Sequence, residues 1–159
     1  MIRRLIAVLL LSMTALGALP THAEPQGPIG WLIIPSIKLY APIYTAPIDD
    51  AGTLTRSDDY HTIDHPINHL EGTAWVDQGW GRVVLAGHNP GVFGRVPDLQ
   101  GGERIIILSH TSAYEFTVVL VQVIENDRDV LAPTPGFQVS LLTCLHRGVT
   151  WLMVDAVPQ

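Results

Sequence analysis

From Ile29 onward the chain is written in short apolar and β-branched runs, each closed by Gly, Pro or Asp, and helix is scarce. Runs this short bury their apolar sides only by pairing into a sheet that closes on itself or packs on another, so the pattern predicts an all-β barrel or sandwich. Seven strands are expected: Trp31–Ile34, Ala41–Thr45, Arg82–Gly87, Arg104–Ser109, Tyr114–Ile124, Gln138–Thr143 and Thr150–Ala156. The Arg82 run is apolar at nearly every position, as expected of a strand covered on both faces.

A length of 159 residues leaves room for one such domain. Ahead of it, Arg3 and Arg4 precede an apolar run from Leu5 to Leu19, and Thr21 and Ala23 stand at the small-residue positions of a cleavage site. This is the pattern of a secretory signal over residues 1–23, with a core shorter than the roughly 20 residues that cross a bilayer. Residues 24–28 are then a short leader, and 29–159 the folded unit. A membrane association is expected only if the first segment stays uncleaved.

The net charge is −6 at pH 7, and losing the signal segment, residues 1–23, which holds two arginines and no acids, makes it more negative. An acidic chain without a basic run is a poor match for nucleic acid, where affinity comes from Lys and Arg displacing counterions from phosphates. One cysteine, Cys144, is present, so no internal disulfide can form. A lone thiol in an exported chain is either a small buried hydrophobe or a reactive group.

The reactive reading has partners. A thiol at neutral pH is only slightly ionised and needs a base or cation nearby to act as a nucleophile. His88 follows the apolar strand VVLA, at the point where a strand gives way to the loop NPGVFGRVPDL, which has room for one short helical turn. Cys144 also ends a strand, and Arg147 lies three residues on, in the short hairpin through Gly148. A histidine can return a proton to a leaving amine, and an arginine can hold an oxyanion or a substrate backbone.

In order and spacing, IGWLIIPSIKLYAPI, then VVLAGHNPGVFGRVPDLQGGERIIIL, then VLAPTPGFQVSLLTC with a final apolar strand resemble the sortases, from about Ile29 to Val157. The most specific pieces are AGH with Phe93 and Leu99 behind it, and LLTC, which is similar to the family's TLxTC motif. The resemblance implies an eight-stranded β-barrel and a cysteine transpeptidase with Cys144 as nucleophile and His88 as acid/base. Thr143 would line the substrate groove. It implies cleavage of a short LPxTG-like signal on secreted proteins to a thioester, then attack by an amine of the cell wall or of another protein, with no metal or cofactor. The family's arginine stands at the start of the next strand, where this chain has Trp151, so Arg147 is the candidate replacement.

Other features have plainer readings. His61, His65 and His69 recur every four residues, but Pro66 interrupts any helix that would stack them, and a solvated loop is the default. Asp49 with Asp50 and Asp58 with Asp59 lack the spacing of a calcium loop. Trp75 and Trp80 are expected to pack at the core or its edge, and His146 to point away from the thiol. Two other functions stay open: a non-catalytic envelope module on the same fold, and an L,D-transpeptidase. The second family places Ser-x-Gly before its cysteine, where this chain has Leu142 and Thr143.

Overall fold

The computed structural model describes residues 27–46, 67–125, 131–132, 134–145 and 150–159. The signal segment, His61, His65, the two aspartate pairs, His146 and Arg147 lie outside the described residues. Eight strands are present: β1 (Gly30–Ile34), β2 (Leu39–Ala46), β3 (Ile67–Leu70), β4 (Arg82–Ala86), β5 (Arg104–Ser109), β6 (Ala113–Ile124), β7 (Gln138–Leu145) and β8 (Thr150–Pro158). They close into one barrel in the order β1-β2-β3-β4-β7-β8-β6-β5. Three 3₁₀ turns, at Pro35–Ile37, Val76–Gln78 and Val96–Asp98, complete the regular structure among the described residues.

Seven strands fall where the apolar runs predict them. The eighth, β3, occupies INHL, within the stretch expected to be a solvated loop. His69 is accordingly no loop residue: it sits in β3, 7% exposed. Four residues with an Asn and a His among them carry no alternation to detect, and β3 exists because its neighbours supply hydrogen bonds on both sides. It runs parallel to β2 from Ile43 opposite Ile67 and antiparallel to β4 at Asn68 and His69.

Side chains alternate across each strand, so every second residue enters the barrel. Leu32, Ile34, Ile43, Val83, Leu85, Ile105, Ile107, Val139, Leu141 and Val154 fill it, all without solvent exposure. Phe116 comes from β6, whereas Phe93, Val96 and Leu99 enter from the connection after His88. That connection therefore closes one end of the barrel. Truncating a buried Phe in such a place typically costs about 3–5 kcal/mol.

Candidate active site

β4 and β7 lie side by side and parallel, from Arg82 opposite Gln138 to Ala86 opposite Leu142. Two hydrogen bonds carry the pairing past the end of β4. The Gly87 N–H donates to the Leu142 carbonyl at 3.1 Å, and the Thr143 hydroxyl donates to the Gly87 carbonyl at 2.8 Å. His88 follows Gly87 in the loop after β4, and Cys144 follows Thr143 in β7.

The two faces of the β4–β7 pair have different neighbours. Val83, Leu85, Val139 and Leu141 point into the barrel, whereas Val84, Ala86 and Leu142 belong to a separate apolar cluster on the outside, with Leu70 and Met153. Alternation along β7 assigns Cys144 to this outer face; Cys144 and His88 are both half-buried. Trp151 is the β8 residue directly opposite Cys144 and packs on the same outer cluster, as do Ile124 and Leu131.

Thr143 belongs to the other face. It is 1% exposed and its hydroxyl is committed to Gly87, so it holds β4 against β7 from within rather than lining an outer groove. Gly87 has its own reason to be glycine: a Cβ there would come within 2.7 Å of the Phe93 ring and 2.9 Å of Val92. The AGH segment and the Phe93 behind it are thus one packing unit. The loop folds back at once, with the Phe93 N–H donating to the His88 carbonyl at 2.9 Å. Gly91, at φ +152°, passes so close that its Cβ would lie 3.1 Å from the His88 Cβ.

The arginines are arranged differently. Arg82 sits at the opposite end of β4, six residues from His88. Arg95 is bound to Asp98 at 3.2 Å and to the Ile37 carbonyl at 3.3 Å. No cluster of His, Cys, Asp or Glu suited to a metal occurs among the described residues.

Sequence reasoning did not single out the far end of this outer face. A cavity of about 410 Å³ opens there, between the β3–β4 turn (Thr73, Ala74), the approach to β4 (Trp80, Arg82) and the β6–β7 connection (Leu131, Thr134). Trp75 is half-buried against the core, as expected, but Trp80 is 69% exposed beside the cavity. Its wall is steadied by His69, whose Nε2 donates to the Ala74 carbonyl at 2.8 Å and whose ring meets Trp75 edge-on at 5.1 Å. Burial holds the His69 pKa below its ordinary 6.5, the hydrogen bond to Ala74 opposing in part.

The Sortase domain model matches residues 32–157 of this sequence. The chain belongs to the sortase family. No curated protein matches it. Among solved structures, a lid mutant of sortase A from Corynebacterium diphtheriae is 27% identical, the match covering 88% of this chain and 74% of that one with a TM-score of 0.67. A Clostridium perfringens sortase D5 transpeptidase (24% identity, 86% and 82% covered, TM-score 0.70) and sortase A of Listeria monocytogenes (17%, 84% and 88%, TM-score 0.66) share the fold. The eight-stranded sortase barrel implied by the resemblance is the fold observed. Sortases are cysteine transpeptidases that act on sorting signals and amine acceptors, and they generally work outside the cytoplasm.

Proposed function

We propose that this sortase acts outside the cytoplasm, after removal of residues 1–23, and joins secreted proteins bearing a short LPxTG-like signal to an amine of the cell wall or of another protein. The Cys144 thiolate attacks the scissile carbonyl, and the protonated His88 imidazole gives its proton to the departing amine, leaving a thioester. The acceptor amine then attacks the thioester, neutral His88 takes up its proton, and an amide and the thiolate result. Arg147 is the candidate for holding the oxyanion or the peptide backbone, a role suited to its planar fork of donors.

The observation that carries this reading is the β4–β7 register, with the Gly87 and Thr143 hydrogen bonds extending it toward the His88 and Cys144 positions. Incubation with an LPxTG peptide and intact-mass measurement is the test. An adduct of the acyl fragment is expected on the wild-type chain, absent from Cys144→Ala and released by hydroxylamine. Peptide cleavage by a folded Cys144→Ala chain would remove the assignment.

Trp151, opposite Cys144 where the family has arginine, favours a second reading, a peptide-binding module without turnover. It predicts peptide affinity with no adduct under any acceptor.

A further inference from the structure

Cys144 of β7 and Trp151 of β8 stand directly opposite one another in an antiparallel pair. Opposed residues of such a pair project to the same side of the sheet, with Cβ atoms about 4.5–5.5 Å apart. On the other edge of β8, Ile124 of β6 is opposite Trp151, so the outer face reads Cys144, Trp151, Ile124 across three strands. Trp151 packs on the outer cluster that contains Leu142 and Met153, as Ile124 and Leu131 also do, and this apolar support holds the indole in place. The residue is half-buried, so part of it stays open to solvent beside Cys144 in the row.

Such a neighbour is a poor host for water. An ordered water needs about two to four polar partners, and a water that attacks a carbonyl must also pass a proton to an acceptor. An indole donates one hydrogen bond through Nε1 and accepts none, and an isoleucine does neither. A peptide amine meets no such difficulty, because it arrives on a chain whose own contacts can position it.

We propose that Trp151 shields the acyl-enzyme: its indole covers the thioester on Cys144 from the β8 side and favours its transfer to an amine over its hydrolysis. The proposal rests on the reading of Cys144 as nucleophile. The two fates differ only in the attacking atom. Water forms a C–O bond to the acyl carbon and breaks the C–S bond, its proton passing to His88 and then to sulfur, and the products are a carboxylic acid and the free thiol. An amine forms a C–N bond, breaks the same C–S bond and gives its proton to His88, and the product is an amide. Trp151 is a positioning residue in this scheme, for it takes part in neither bond change and acts on which nucleophile reaches the carbonyl.

The test reads how long the acyl-enzyme survives in water. The full chain is incubated with an LPxTG peptide and no acceptor, and the adduct on Cys144 is followed by intact mass. In Trp151→Ala the adduct should be lost about tenfold faster, a fall of roughly 1.4 kcal/mol in the barrier to water. Trp151→Phe keeps an apolar ring and should restore most of the lifetime, whereas Trp151→Gln, which brings a hydrogen-bond acceptor, should not. With triglycine present, the ratio of hydrolysed to transferred product should rise in the alanine variant by a similar factor. Adduct formation itself should change little, which a merely structural loss would not allow. Equal lifetimes in wild type and Trp151→Ala, or a Trp151→Phe adduct as short-lived as the alanine one, overturn the proposal. Where the peptide leaves no adduct on any chain, p-nitrophenyl acetate acylates the thiol directly, with Cys144→Ala giving the background. Faster loss of that acetyl group from folded Trp151→Ala supports the shield even though the peptide chemistry has failed, and equal loss overturns it.

Discussion

The two ends of the β4–β7 pair are held by different forces. At the Cys144 end the ties are buried and uncharged: the Thr143 hydroxyl on the Gly87 carbonyl, the Gly87 N–H on Leu142, and the Phe93 ring lying against Gly87. At the Trp80 end the ties titrate. His69 fastens the β3–β4 turn from within the protein. Asp77, exposed in the 3₁₀ turn, binds it to the β5–β6 hairpin: one carboxylate oxygen accepts from Ser109 (2.7 Å), Thr111 (2.6 Å) and Tyr114 (2.8 Å), the other from the Trp75 indole (3.1 Å). The contrast suits a molecule whose reacting groups must keep their geometry while a more distant surface adapts. A buried neutral bond is insensitive to pH and salt, whereas an exposed carboxylate is screened and can be protonated.

The largest expected effects lie at the Cys144 end and concern rate. Cys144→Ala should abolish turnover, and His88→Ala should lower kcat by at least ~10²-fold, with melting temperatures near wild type. Arg147→Ala should cost about 10²–10³ in rate if it supplies an oxyanion donor, and Arg147→Lys somewhat less. Normal turnover of a folded His88→Ala chain would transfer the acid/base role elsewhere and dissolve the contrast between the two ends.

Next in size are the buried ties. Gly87→Ala must push the Phe93 ring or the strand aside and should destabilise by about 1–3 kcal/mol, with kcat falling along with stability. Thr143→Val keeps the shape but leaves the Gly87 carbonyl without its donor, at about 1–3 kcal/mol. Thermal melts and peptide kinetics on both variants measure this. Activity retained despite a lowered melting temperature would mean that Thr143 serves stability alone.

A smaller effect is expected at the other end as the pH falls. The folded His69 resists the proton that an unfolded imidazole accepts near 6.5, so its contribution is complete above that value and declines as the pH drops below it. Between pH 7 and 5 the wild-type melting temperature should fall, and hydrogen exchange at Thr73 and Ala74 should quicken before that at Gly87. Equal quickening at both ends would erase the distinction between them.

The smallest effect belongs to Asp77. Hydrogen bonds from Thr111 foremost, and from Ser109, Tyr114 and Trp75, hold its carboxyl below the ordinary 3.8. Its contribution is therefore present above pH 3.8 and lost as the pH falls through the lower folded value. Solvent screening keeps the contribution modest. Asp77→Asn should lower the melting temperature by a few degrees at most at pH 7 and should flatten the acid limb of the stability profile. An unchanged acid limb would show that Asp77 does not link the turn to the hairpin in solution.

Seven strands and the apolar covering on both faces of β4 were legible in the sequence, because each is written as a local pattern of side-chain size and polarity. The residues proposed to react were picked out there too, since a lone cysteine and a histidine at strand ends carry their chemistry in their atoms. Tertiary structure alone decided the rest. β3 is a strand only because β2 and β4 flank it. Thr143 turns inward because alternation along β7 gives Cys144 the outer face. The hydrogen bond from Thr143 to Gly87 spans 56 positions, and the cavity beside Trp80 is walled by two separate connections, β3–β4 and β6–β7, with Arg82 of β4. Such contacts depend on which strands the barrel brings together, and parallel neighbours such as β4 and β7 pair directly although β5 and β6 separate them in the sequence, a choice no local pattern records.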